Sequence, residues 1–288
     1  IYTLSLHDAL PILVDAPGIG VFLLMNGRIG PKPRPIKENR FARFIPPLSV
    51  LLGLAIWESA VRFSAFPAFI LPPPSLILAR FGVSLKSGVL VSNMGVTLME
   101  IAFGLAIGIG AGAISGFFLA HHPALEQVLY PYIVATQAIP LAAVAPLFII
   151  WLGSGLAPKI LICSLVVFFP IQVSVVAGIR EIPRNYRDVL TSMNVGPIAV
   201  LRYLEIPAVM PSFFNGLRIS ATLSVLGAVV GELSGAKSGL GYLINTARGQ
   251  YDTAMVFVAV LTLMAMAITL YQAIARLEKR VLRWQAVK

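Results

Sequence analysis

Long apolar runs separated by short polar or proline-rich breaks set the pattern of this chain. Six of them approach the roughly 20 residues needed to cross a bilayer as a helix. They lie at about Pro46–Phe63, Thr97–Leu119, Leu129–Leu152, Lys159–Gly178, Phe214–Leu233 and Thr253–Ile274. The first carries Trp57 and Glu58 near its outer end, and the acid there must face protein, water or the interface. In the second, Gly104, Gly108, Gly112 and Gly116 recur every four residues, which puts them on one helix face and lets another backbone approach closely. Glu100, near its start, faces either a pathway or the interface. The third contains Gln137, Pro140 and Pro146. The prolines are expected to kink or break it, and broken helices in membranes line cavities because their freed carbonyls need partners. Gln137 and Pro140 are therefore pathway candidates, with a hydrogen bond to a neighbouring helix as the other role open to Gln137. The fifth ends near Glu232, an acid expected at the outer mouth of the span, as a pathway residue or an interfacial one.

Between the first two spans, FPAFILPPPS forbids a continuous helix at Pro72–Pro74. Ser75 is placed to cap an amphipathic helix running to about Leu85. Gly235–Asp252 reads as an outer loop with a short helix. Its Gly-Ala-Lys-Ser lacks the glycine directly before Lys-Ser that a phosphate-binding loop requires.

Composition agrees with a polytopic membrane protein: 58% hydrophobic, 12% charged, mean hydropathy +0.87. A soluble domain carries about a quarter charged residues. The net charge of +10 does not form a nucleic-acid stripe, because the basic residues flank apolar spans. With both termini inside, 16 of the 22 Lys and Arg fall on the cytoplasmic side, the positive-inside pattern. Those 16 are six in the tail from Arg28 to Arg43, five from Arg180 to Arg218, and five from Arg276 to Lys288. The single cysteine, Cys163, sits in an apolar run and can form no intrachain disulfide. His121 and His122 point in different directions on a helix and suggest a loop, not a metal site. No Ser/His/Asp set, carboxylate pair or Cys/His cluster has credible spacing, so no catalytic residue is expected.

The most polar interior stretch is Glu181–Ser220. Pro183 opens a short helix whose apolar stripe is Tyr186, Val189, Leu190 and Met193. Asn194 and Gly196 break it, since both residue types tolerate a left-handed backbone. Pro197 starts a second helix with stripe Ile198, Leu201 and Leu204, and Pro207 and Pro211 are expected to stop it. Such a helix pair on the Arg-rich side suits docking to a soluble partner, and equally a solvated interfacial loop.

This layout is similar to the EAA loop of the permease subunits of bacterial ABC importers. Asp188, Val189 and Leu190 stand at the E-A-A positions, Asn194 at the glycine, and Ile206–Pro207 at the closing hydrophobic-Pro pair. The acid is kept as Asp, both alanines are lost, and Asn replaces Gly. Further matching pieces are the Leu-Pro-x-Pro-Ser segment, Ala138-Ile139-Pro140 with Ala145-Pro146-Leu147, Gly239-Leu240-Gly241-Tyr242 with Tyr251-Asp252-Thr253, and Leu277-Glu278-Lys279-Arg280 with Trp284. Together they resemble the nitrate, sulfonate, taurine and bicarbonate type. Gly231–Ala236 and the Ala-Arg-Gly-x-Tyr-Asp-Thr run look closer to members importing thiamine pyrimidine precursors or riboflavin.

The resemblance implies an all-α, six-span permease of the type I importer kind in the bacterial inner membrane. It implies a second permease copy as a homodimer, a cytoplasmic ATP-binding cassette subunit that uses ATP and Mg, and an external substrate-binding protein. This chain itself would hold no cofactor. Tyr186, Arg187, Asp188, Val189, Leu190, Met193, Asn194, Gly196 and Pro207 would couple it to the ATPase. Residues 1–12 are expected to be non-biological, because Thr3–Ile12 resembles the conceptual translation of a sequencing adapter and the chain opens on Ile1 rather than Met. Residues 13–43 would form a basic cytoplasmic tail, 44–284 the permease domain with its coupling loop at about 181–211, and 285–288 a C-terminal tail. The rival is a secondary transporter driven by an ion gradient, which predicts intramembrane charge pairs. No basic partner for Glu100 or Glu232 is legible within the spans.

Overall fold

The computed structural model describes residues 45–63 and 69–283, with side chains from Leu48 onward. Residues 1–12, the tail at 13–43, Trp284 and 285–288 lie outside the described residues. Contacts divide the chain into two units, Ile1–Ala55 and Ile56–Lys288. The described part of the first is the opening of helix α1, Ile45–Phe63. The second holds the remainder.

All described regular structure is helical. After α1 come α2 (Pro74–Lys86), α3 (Val89–His121), α4 (Pro123–Gln137), α5 (Leu141–Leu152), α6 (Ala157–Arg180), α7 (Arg184–Ser192), α8 (Pro197–Val200), a π-helical turn (Leu201–Glu205), α9 (Ile206–Leu233), α10 (Leu240–Gly249) and α11 (Thr253–Val281). Among the described residues, four helical stretches are long and apolar enough to cross a membrane: α3, α6, the run Pro197–Leu233 and α11. The pair α4 and α5 makes a fifth if counted as one broken span. Helix α1 has 19 residues, close to a membrane's thickness.

Helix α6 is the central element, packed most extensively against α3 on one side and α9 on the other. Glycines on both neighbours permit this. A Cβ on Gly108 would sit 2.7 Å from the Ser164 carbonyl, on Gly112 2.6 Å from Phe168 O, and on Gly116 2.7 Å from Gln172 O. On Gly104 it would overlap the Cys163 side chain. From the other side, Gly227 and Gly231 of α9 bring it within about an atom's width of the α6 backbone at Cys163 and Lys159. Without a hydrophobic driving force between helices in lipid, this close approach supplies van der Waals contact that bulkier faces would lose. A second core joins α2, α3, α9, α10 and α11 through Ile77, Leu90, Ile101, Leu240, Val258 and Leu263. Arg218 pairs with Glu278, tying the middle of α9 to the end of α11.

Three local expectations need correction. The run Leu129–Leu152 is broken, one of the two expected outcomes, into helices bent by 92°, but only one of its two prolines marks the break. The break falls at Ala138–Pro140, whereas Pro146 is carried inside α5. Pro207 and Pro211 do not stop the second polar helix, because α8 continues through the π turn directly into α9. Pro207 occupies the first turn of α9. The wider π turn just before it accommodates a ring that would collide with the carbonyl four residues back. Ser75 does not cap α2, whose N-cap is Pro73. Its N–H and Oγ instead donate to Glu58 of α1, at 3.0 and 2.8 Å. Glu58 also accepts from Arg62 Nε at 2.7 Å. The α2 start thus takes its acceptor from another helix.

Candidate functional site

Residues 181–205 form a helix–turn–helix at the end of α6. Pro183, extended at φ −61° and ψ 139°, precedes the first turn of α7. The helix ends in a Schellman turn: Asn194 N–H donates to Thr191 O at 2.9 Å and Val195 N–H to Leu190 O at 3.1 Å. Asn194 adopts φ +52° there, the left-handed conformation its side chain tolerates and the departure from glycine preserves. Gly196 does not share that conformation: at φ −66° and ψ 157° it is extended and serves as the N-cap of α8, with Pro197 in the first turn.

The apolar stripe of α7 faces outward. No residue of α7 is buried. Tyr186 and Val189 are 57% exposed and Met193 69%, with Ile198 and Tyr203 of the following turn at 81% and 73%. Asp188 is exposed beside them, while Arg187 and Leu190 are half-buried toward the body. An apolar group of this density on a short polar helix is what a docking surface looks like.

What holds this surface is a charged hub under it. Glu205 is buried and accepts from His121 Nε2 at 3.0 Å. The Arg187 guanidinium stands 3.4 Å from the same oxygen. Its other contact is the Ile179 carbonyl at 3.5 Å. His121 Nδ1 is engaged by Phe117 O at 2.9 Å, which orients the ring. So α7 is pinned to the last turn of α3 and to the π turn. Nearby, Arg180 pairs with Glu126 of α4. The sequence placed His121 in a loop and Glu205 only among the acids of the polar stretch, with no anchoring role. The one local signal was an acid just before Ile206–Pro207 in an apolar stripe. Two clefts flank the hub: one of about 490 Å³ between Phe117, His121, Arg187 and Ile198, and one of about 200 Å³ at Glu205, Ile206, Val209 and Phe213.

The pathway candidates separate. Gln137 and Pro140 are exposed at the break between α4 and α5. Glu232 does not stand at an open mouth: it is 1% exposed, behind α10, and accepts from Thr97 Oγ1 at 2.6 Å and Gly241 N at 2.5 Å. Glu100 is not interfacial either. It is fully buried, 2.7 Å from Lys159 Nζ. An intramembrane charge pair therefore exists where none was legible, because its members are 59 residues apart on different helices. Among the described residues no group of three or more His, Cys, Asp or Glu is arranged to hold a metal ion.

Comparison with known proteins gives this helical arrangement a family. The family model described as "Binding-protein-dependent transport system inner membrane component" matches residues 104–283. The riboflavin transport system permease protein RibX of Chloroflexus aurantiacus is 40% identical over 259 residues, covering 90% of this chain and 97% of that protein. The formylaminopyrimidine transport permease protein ThiX of Halalkalibacterium halodurans is 34% identical over 240 residues, covering 83% and 95%. A solved structure of the MetNI methionine ABC transporter in an inward-facing conformation aligns with TM-score 0.55 at 19% identity, over 67% of this chain and 94% of that one. The chain belongs to the inner-membrane permease components of binding-protein-dependent ABC transport systems. It is a multi-pass inner-membrane protein with the fold of a type I ABC importer permease.

Proposed function

We propose that this chain is the translocation subunit of an ATP-driven importer and that α7 and α8 are its coupling helices. The observation that carries the reading is the exposed apolar face of α7, with Tyr186, Val189 and Met193 outward and Asp188 beside them. A cytoplasmic ATP-binding cassette subunit would cover that face and use ATP and Mg. Closure of the ATPase pair would push α7, and the Glu205 hub would pass the push to α3 and α9. Pro207 would keep the π turn at this junction. Gln137 and Pro140 would line the route against a second copy of the chain in a homodimer, and an external binding protein would deliver the solute. The relatives RibX and ThiX support a heteroaromatic vitamin or vitamin precursor, of the riboflavin or formylaminopyrimidine class, as the substrate.

The test is uptake in vesicles carrying the whole complex, with Leu190→Pro or Asp188→Lys in α7. Loss of uptake and of the co-purifying ATPase, with the permease still in the membrane, is the expected result. Normal uptake by both variants would sink the coupling assignment.

One observation favours the gradient-driven rival: the Lys159–Glu100 pair is the kind of intramembrane charge it predicts. The pair is sealed from any opening, with the two side chains 4% and 0% exposed. Uptake driven by ATP hydrolysis with no ion gradient separates the two readings.

A further inference from the structure

Helix α10 begins with no cap of its own. The residue before it is Gly239, at φ +115° and without a side chain to offer. A helix start leaves its first N–H groups needing acceptors, and here they come from two distant helices. Gly239 N–H donates to Asn93 Oδ1 at 2.8 Å and Leu240 N–H to Thr97 Oγ1 at 2.9 Å, both on α3. Gly241 N–H donates to Glu232 Oε2 at 2.5 Å, on α9. Thr97 in turn donates to Glu232 Oε1 at 2.6 Å. An anionic group at a helix N-terminus also meets the positive end of the helix dipole.

A third helix joins through Lys159 of α6. Its ammonium donates to Glu100 Oε1 at 2.7 Å and to Ser238 O at 3.2 Å, in the turn leading to α10. Glu100, Lys159 and Glu232 are 0%, 3% and 1% exposed. Space for this is left by two glycines. A Cβ on Gly239 would overlap the Glu232 carboxyl, and on Gly241 it would lie 2.8 Å from Glu232 Cβ. Charges this deeply buried persist only when paired and hydrogen-bonded. The pairing found here joins α3, α6 and α9 at α10's first turn.

We propose that Glu232, Lys159 and Glu100 form an interior latch fixing α10 to the ends of α3, α6 and α9 remote from the coupling helices. The four helices then move as one body during transport. Glu232 acts as a positioning residue, through α10, and touches no substrate. The transport arm of this inference rests on the permease reading; the helix-ordering arm does not.

Hydrogen exchange of the purified, intact protein tests the ordering arm. Glu232→Gln and Gly241→Ala are each expected to raise exchange at the amides of 240–249 at least tenfold, with the middle of α3 and α6 unchanged. Thr97→Val, which removes the acceptor of the Leu240 N–H and a donor to Glu232, supplies the same reading if Glu232→Gln does not fold. Lys159→Met alone should loosen α10 more than the double variant Glu100→Gln/Lys159→Met, which removes both charges. Unchanged α10 exchange, or equal loosening by the single and double variants, would overturn the latch. In the ATPase-containing complex, Glu232→Gln is expected to cut uptake tenfold or more while ATP hydrolysis persists. A parallel fall in both would reduce Glu232 to a structural residue and overturn its positioning role. Failure of any ATPase to co-purify would strike the ATPase-coupling reading and leave the exchange result to decide the latch.

Discussion

His121 and Glu205, 84 residues apart, meet at 3.0 Å where the last turn of α3 touches the π turn below α7. Arg187 reaches the same carboxylate from α7. The exposed face of α7 and α8 is therefore not a free loop but a helix pair bolted to the membrane helices through one buried acid. Glu205→Gln should loosen it. A hydrogen bond to a charged group contributes about 1.5–3 kcal/mol, less here because the Arg187 side chain is 40% exposed and screened by water. An expected loss of about 1–2 kcal/mol would be local. Protease sensitivity between α7 and α8 should rise and uptake fall, with the amount of protein in the membrane unchanged.

The glycine face makes a matched pair of predictions on one helix. Gly112→Val places a side chain where a Cβ already lies 2.6 Å from Phe168 O. Overpacking of this kind costs about 1–3 kcal/mol. Gly110→Val, on the same helix with nothing within 4 Å, should be nearly silent. Thermal unfolding in detergent distinguishes them: a lower midpoint is expected for the first variant only.

Asn194 tests whether the turn or the side chain matters. Asn194→Gly keeps φ +52° accessible and should leave transport intact. Asn194→Val forces a β-branched residue into the left-handed region, at about 1–2 kcal/mol. Faster exchange at the Val195 amide, which closes the Schellman turn onto Leu190, is the expected signature, together with reduced uptake.

Asp252 does two jobs at the start of α11. It accepts from Met255 N at 3.0 Å as the N-cap and from Arg80 Nε at 2.9 Å across from α2. Asp252→Ala should cost the cap, about 0.5–2 kcal/mol, as well as the pair. Arg80→Ala should cost less, because its side chain is 43% exposed. A double-mutant cycle on thermal stability checks this, and the coupling between the two should stay below about 1 kcal/mol.

Much of the fold was legible because it is written in local pattern. Apolar run length marked α3, α6, α9 and α11, and the four-residue period marked the face of α3 that α6 fills. A short amphipathic stripe ending at Asn marked α7 and its turn. Prolines were the misleading signal. Pro140 ended a helix as its chemistry suggests, while Pro146, Pro207 and Pro211 did not. A missing N–H can be absorbed by a π turn or by a first-turn position, and neither can be read from the residue itself.

The sequence by itself determined the class of protein, the places of its long helices, the left-handed turn at Asn194 and the apolar stripe of α7. These depend on spacing within a few turns of one helix. Only the tertiary structure decided which helix fills the glycine face, which acid anchors α7, and that Glu232 and Glu100 are sealed against α10 and Lys159. Those depend on pairing between separate helices, as with Lys159 and Glu100, 59 positions apart, or Gly239 and Asn93, 146 apart. Burial makes such pairs strong, and no local period in the chain encodes which distant partner a buried charge will meet.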